Sequence, residues 1–364
     1  MDRDQSGSLK AHSQLPHFLA TLYGLAIAYA SLQPFANWVA LPPGTPYFLI
    51  ASWPPRWVRY DVATNLLAYL PFGFFVALIP HRLRPVARLA TAAAVGALLS
   101  LAMETLQQYL PMRDASVADF LANTAGAAAG GALAVAFARS SAARAVITEA
   151  RERWFLAGPV GDFGLALLAI WLAVQVNPGI PLFATMYDLT PPAGTPAPPT
   201  DVAATLVEAA HSAFQLLGVG LFLALLLRER RYVAGAALLL LGAATLVKGV
   251  AATILLKPAA WDNWLAPGVS LGVAAGTLLL SMAIWLPRPA QVTLAAIALL
   301  SSLLATMFAP DLVYARAPMG LFNGPYGHLL NFNGLTHTVL LVWPAVASVF
   351  LLALAGRPGW GEPA

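Results

Sequence analysis

The chain has 364 residues, of which 59% are hydrophobic and 10% charged, against roughly 25% charged in an ordinary soluble domain. That excludes a soluble enzyme, and long runs without a polar side chain, such as Val233 to Ala244, exclude an outer-membrane barrel of alternating strands. Zero cysteines remove disulfides, thiol catalysis and cysteine metal sites, and a formal charge of +4, carried mostly by arginine, is first a matter of membrane orientation.

A bilayer core of about 30 Å takes about 20 apolar residues per helix. The expected fold is therefore all-α, a polytopic transmembrane bundle of about ten spans. In chain order these are Phe18 to Ala36, Asp61 to Ile79, Leu89 to Tyr109, Asp119 to Ala138, Val160 to Val176, Thr205 to Leu227, Tyr232 to Leu256, Leu265 to Leu286, Gln291 to Phe308 and Thr336 to Ala355. With the amino terminus inside, 14 of the 20 basic residues fall in inner loops, which supports a multi-pass protein of the cytoplasmic membrane with both termini cytoplasmic. Ala28-Tyr29-Ala30 resembles a signal-peptide cleavage triplet, but the apolar run continues past it, so the first span is read as retained.

A shift of 147 residues lays Asp61 to Arg84 over Glu208 to Arg231, and a shift of 146 lays Gly126 and Gly130 over Gly272 and Gly276. The expected organisation follows as a cytoplasmic segment (1–17), a four-helix unit (18–138), a basic linker (139–159), a second, degenerate four-helix unit (160–286), two additional helices (287–355) and a cytoplasmic tail (356–364).

The first unit carries the polar residues that lipid should not see. Asp61, Asn65 and Tyr69 share one face of the second span. Glu104 and Gln107 lie near the outer end of the third span, Arg113 in the following turn, and Asp119 and Asn123 on one face of the fourth. A carboxylate facing lipid at mid-bilayer costs on the order of 3 kcal/mol, so these groups are expected to gather in an outer-side pocket. Arg113 is the obvious partner for the carboxylates, with Arg56, Arg59 and Lys248, inside the seventh span, as further candidates, Lys248 for Glu104. Simpler roles stand beside this one. Asp61 and Asp119 begin helices and suit capping, and Ser116 to Asp119 has capping-box spacing. Asn65, Gln107 and Asn123 suit interhelical hydrogen bonds, and Gly73, Gly126 and Gly130 suit close helix packing. His328, Asn331, Asn333 and His337 are expected in the last outer loop, without metal-ligand spacing, and His211 as a packing residue.

Asp61-x-x-x-Asn65 with Pro71-x-Gly73-Phe74, and Glu104-x-x-Gln107, Arg113 and Asp119-x-x-x-Asn123-x-x-Gly126, resemble the paired motifs of the VanZ-like membrane family, named for a glycopeptide (teicoplanin) resistance protein. The resemblance spans about Ser31 to Leu133 and departs at Ser116, where the family usually has an acidic residue. It implies an integral protein of the cell envelope that lowers glycopeptide sensitivity, and it supplies no reaction. The expected activity is binding or processing of an outer-leaflet, lipid-linked envelope intermediate. The expected partners are that intermediate and membrane lipid, with no nucleic acid and no cofactor or metal. Glu104 and Asp119 are the acid/base candidates should there be catalysis, for which no nucleophile motif speaks. The rival readings are a proton-coupled transporter using Glu104 and Lys248, and a non-catalytic scaffold.

Overall fold

The computed structural model describes residues 13–50, 59–183, 202–308, 322–323 and 326–357, and within them the regular structure is helical. The helices are α1 (Leu15–Leu32), α2 (Arg59–Leu78), α3 (Pro85–Gln107), α4 (Val117–Arg139), α5 (Ser141–Trp154), α6 (Gly158–Val174), α7 (Val202–Leu226), α8 (Val233–Leu255), α9 (Pro267–Ala283), α10 (Arg288–Phe308) and α11 (Tyr326–Ala355). Each expected span coincides with one of them. Seven, namely α1 to α4, α7, α8 and α11, are long and apolar enough to cross a membrane, and α6 and α9 are shorter apolar helices. Helix α5 falls in the expected linker. It is amphipathic and buries no residue, leaving Val146 and Ile147 exposed beside Arg144.

Two buried apolar clusters organise the packing. One joins α1 to α4 around Phe72, Val76, Ala77 and Ala127. The other joins α6 to α11 around Trp171, Phe222, Leu299 and Trp343. Helix α1 touches both α2 and α6, and so links the two clusters. Helix α7 is the axis of the second: 89% of its most apolar stretch is buried, against 11–44% for the other long apolar helices. Helices α10 and α11 belong to the same cluster, α10 packing along α7 and α11 on α10 and α6.

The tightest pairs are α2 with α4 and α7 with α9, and small residues make them possible. A Cβ on Gly126 would run into the Leu66 carbonyl, and one on Gly130 into that of Leu70. From the other side, a Cβ on Gly73 would strike the Ala127 backbone. In the second pair Gly272 lies against the Ala209 carbonyl and Gly276 against that of Ala213. By the 147-residue shift Ala213 corresponds to Leu66, so the glycines of the second pair engage their partner one turn out of step with the first.

Cations close the carboxyl ends of helices, where free carbonyls and the negative dipole end attract them. Arg88 is buried and its Nε donates to Ala77 O near the end of α2 at 2.8 Å. Arg230 donates to Trp285 O and Leu286 O just after α9, and Arg228 to Phe155 O after α5.

Candidate functional site

The ends of α2, α3 and α4 bring most of the expected polar set together. Ser116 caps α4, its Oγ accepting from the N–H groups of Ala118 and Asp119 at 3.0 and 3.4 Å. In a capping box the side chain three residues on would return the favour by accepting the cap residue's own N–H. Here Glu104 of α3 takes that place: its Oε2 accepts the Ser116 N–H at 2.9 Å. Asp119, relieved of the task, accepts instead from Asn65 Nδ2 of α2 at 2.5 Å. The main chain at Ser116, where the resemblance leads one to expect an acid, thus seats a buried carboxylate from the neighbouring helix, while the serine hydroxyl caps α4.

Around Glu104, only 3% exposed, sit further buried polar groups. Asn123 Nδ2 donates to Ser100 Oγ at 3.0 Å, and Tyr69 lies close to both Ser100 and Glu104. Asp119 lies close enough to Glu104 for the two carboxylates to feel each other's charge. The Tyr69 hydroxyl and Asn123 Oδ1 are buried without a hydrogen-bond partner. Such orphans cost about 1–3 kcal/mol each. Asp61 lies in the first turn of α2, half-buried, one turn from Asn65. Asn65, Asn123 and Gln107 all make interhelical hydrogen bonds, the last from Nε2 to Ser31 O of α1 at 2.9 Å.

Two expected pairings are corrected. Arg113 does not meet the carboxylates: its Nη2 donates to Ala30 O and Gln33 O, both at 2.9 Å, closing the end of α1. Burial there lowers the guanidinium's pKa, and free helix carbonyls hold it in place. Lys248 does not meet Glu104. Its Nζ donates to Asn177 O and Ile180 O, each at 2.8 Å, and is buried in the second cluster, just beyond the end of α6. Arg56 lies outside the described residues, as does the side chain of Arg59.

The second half holds more buried polar groups than sequence alone suggested. Asn177 Nδ2 donates to Asn333 Oδ1 and Thr336 Oγ1 at 2.8 and 2.7 Å. Asn331, Asn333 and His337 belong to α11, which begins at Tyr326, and not to a loop before Thr336; the side chain of His328 lies outside the described residues. His211, Ser212 and Gln215 are buried on one face of α7. Counted from Glu208, the i, i+3, i+4, i+7 spacing of polar side chains in an apolar run was the available signal.

The segment after α1 covers the Glu104 end. Val39 N–H donates to Tyr109 O at 3.0 Å, Tyr47 Oη pairs with Thr105 Oγ1 at 2.7 Å, and Gln108 Nε2 donates to Pro46 O at 3.2 Å. Phe48 is buried against Phe120, while Phe35, Trp38, Leu49 and Ile50 are exposed, the amphipathic pattern of a segment at a membrane interface.

Residues 8–138 match the family model VanZ/LLP1. That stretch is similar to the VanZ/LLP1 family. The match contains α1 to α4, the covering segment and every polar residue gathered around Glu104. No curated protein and no solved structure matches the chain. The long apolar helices are those of a membrane protein, and its buried carboxylate lies within the VanZ-like stretch.

Proposed function

We propose that the VanZ-like unit binds the polar head of a lipid-linked cell-envelope intermediate beneath the segment 33–50, on the outer face of the cytoplasmic membrane. The observation that carries this is the cluster of Glu104, Tyr69 and Asn123. A buried carboxylate with no ion-pair partner among the described residues stands beside a phenol and an amide oxygen that both lack partners. The carboxylate and the amide oxygen accept hydrogen bonds and do not donate them. They call for a ligand bearing donors: sugar hydroxyls, peptide amides or an amine. Arg113 turns toward α1, so it does not set a preference for phosphate at this point.

The orientation rests on the bias of arginines to one end of the bundle, which is the end where residues 13–14 and 357 lie. Residues 18–138 and 160–286 are read as degenerate repeats, supported by the close pairs α2–α4 and α7–α9, which differ by a one-turn slip. Sequestering such an intermediate is the route by which the lowered glycopeptide sensitivity implied by the resemblance would arise. The site is read first as a binding site, with Glu104 and Asp119 as the acid/base pair should the bound intermediate also be processed.

The deciding variant is Glu104→Gln. The amide oxygen can still accept the Ser116 N–H, so the fold is kept while the negative charge is lost. In a deletion strain, the variant should be as abundant as the parent and fail to restore teicoplanin tolerance. Full restoration by both Glu104→Gln and Tyr69→Phe would refute the proposal and leave a scaffold role.

A further inference from the structure

At the opposite end of the bundle from Glu104, three helices leave a cavity of about 260 Å³ between them. Phe18 of α1 and Phe163 of α6 meet edge to face with centroids 5.2 Å apart, and Phe163 continues to Phe350 of α11 at 5.9 Å. Pro159 and Val160, at the start of α6, and Leu354 of α11 complete the wall. Its remaining lining residue of note is Arg357, two residues beyond the end of α11, exposed and without an ion pair among the described residues. The nearby Arg151 is already neutralised by Asp162, whose Oδ1 it meets at 2.7 Å. The cavity is thus apolar throughout its depth and cationic at its mouth.

We infer that this cleft holds one acyl chain of an anionic glycerophospholipid, with the phosphate at Arg357. The occupant follows from three properties. The wall offers an aromatic and aliphatic lining that a sugar or peptide head could not satisfy. The volume lies below the roughly 300–1,000 Å³ of drug-sized pockets, and suits a slender chain. The charge at the mouth complements a phosphate-bearing head, and in the orientation proposed above it sits at the cytoplasmic leaflet, where anionic lipids and basic side chains meet. The site lies where α1 touches α6 and α11, so a bound chain would cement the contact between the two clusters.

The inference depends on the membrane setting but not on the Glu104 pocket, and the two can fail separately. Purified, delipidated protein would be incubated with phosphatidylglycerol or phosphatidylcholine in mixed micelles, and retained lipid counted by native mass spectrometry. The parent should retain phosphatidylglycerol about fivefold more tightly, the factor that corresponds to ~1 kcal/mol for one basic side chain near an anionic surface. Arg357→Ala should bind both lipids equally. Val160→Trp, which fills the cleft, should lose one bound lipid while unfolding at the same temperature as the parent. Glu104→Gln should retain lipid like the parent. Equal retention of the two lipids by the parent, or an unchanged lipid count in Val160→Trp, would overturn the inference. Should Val160→Trp fail to fold, Phe163→Ala, which widens the cleft, should change the preferred chain length; no change would overturn it equally.

Discussion

Replacing Lys248 by methionine tests how a buried ammonium is held in the second cluster. The parent side chain is 1% exposed and donates to Asn177 O and Ile180 O, both at 2.8 Å. Methionine keeps the length and loses the donors, leaving two buried carbonyls unsatisfied. At about 1–3 kcal/mol per orphaned group the gross loss is roughly 2–6 kcal/mol. The parent's cost of burying a charge offsets part of it, and Asn177 stays tied to Asn333 and Thr336. A net destabilisation of about 3 kcal/mol is expected, read as a lower midpoint in reversible unfolding from bicelles by sodium dodecyl sulfate. The same experiment rechecks the discarded pairing with Glu104. In a double-mutant cycle, Lys248→Met and Glu104→Gln should add to within ~0.5 kcal/mol, as distant sites do. Parent-like stability of Lys248→Met would refute the account of the carbonyl contacts, and a coupling above ~1 kcal/mol would restore the ion pair.

Three further predictions concern other parts of the molecule. Gly130→Val should abolish stable accumulation, since its Cβ would collide with the Leu70 carbonyl and the Phe74 backbone, whereas Gly242→Ala, with open space around it, should be neutral or stabilise by up to ~1 kcal/mol; melting curves of the two proteins distinguish the cases. Asp162 accepts from Arg151, Ser13 and the Gln14 N–H, so Asp162→Asn should cost about 3 kcal/mol, as removing one partner of a buried pair does, and should raise the reactivity of a cysteine placed at Ser13. Single cysteines at Asp114, Arg84 and Ser141 should be modified by an impermeant thiol reagent in intact cells only at Asp114; modification at Arg84 or Ser141 would reverse the orientation.

How much of the site could be read in advance varied with the kind of interaction. Asn65, Asn123 and Asp119 were recognisable as polar residues at helical spacing, and the structure joins Asn65 to Asp119 and Asn123 to Ser100 because polar side chains among apolar helices must find partners. Glu104 was recognisable as a carboxylate too deep for lipid, but its partner is a backbone N–H contributed by Ser116, and main-chain donors carry no sequence signature. The same reason hid the partners of Arg113 and Lys248. Charge alone pairs each cation with a carboxylate, while in the fold Arg113 lies against carbonyls at the end of α1 and Lys248 against those of the loop after α6. Arg88 precedes the third expected span, and its guanidinium reaches back to close α2.

Apolar run lengths and glycine spacing set ten of the eleven described helices, their order and the two places where backbones approach most closely, because these depend on side-chain chemistry along the chain; α5, short and polar, was not among them. Which helices share a core did not follow from that order. Helix α10 lies along α7, α1 bridges both clusters, and a segment before α2 folds over Glu104, all by contacts between residues far apart in the chain. Surface complementarity and the satisfaction of main-chain hydrogen bonds decided those placements, and both come into being only once the helices have packed.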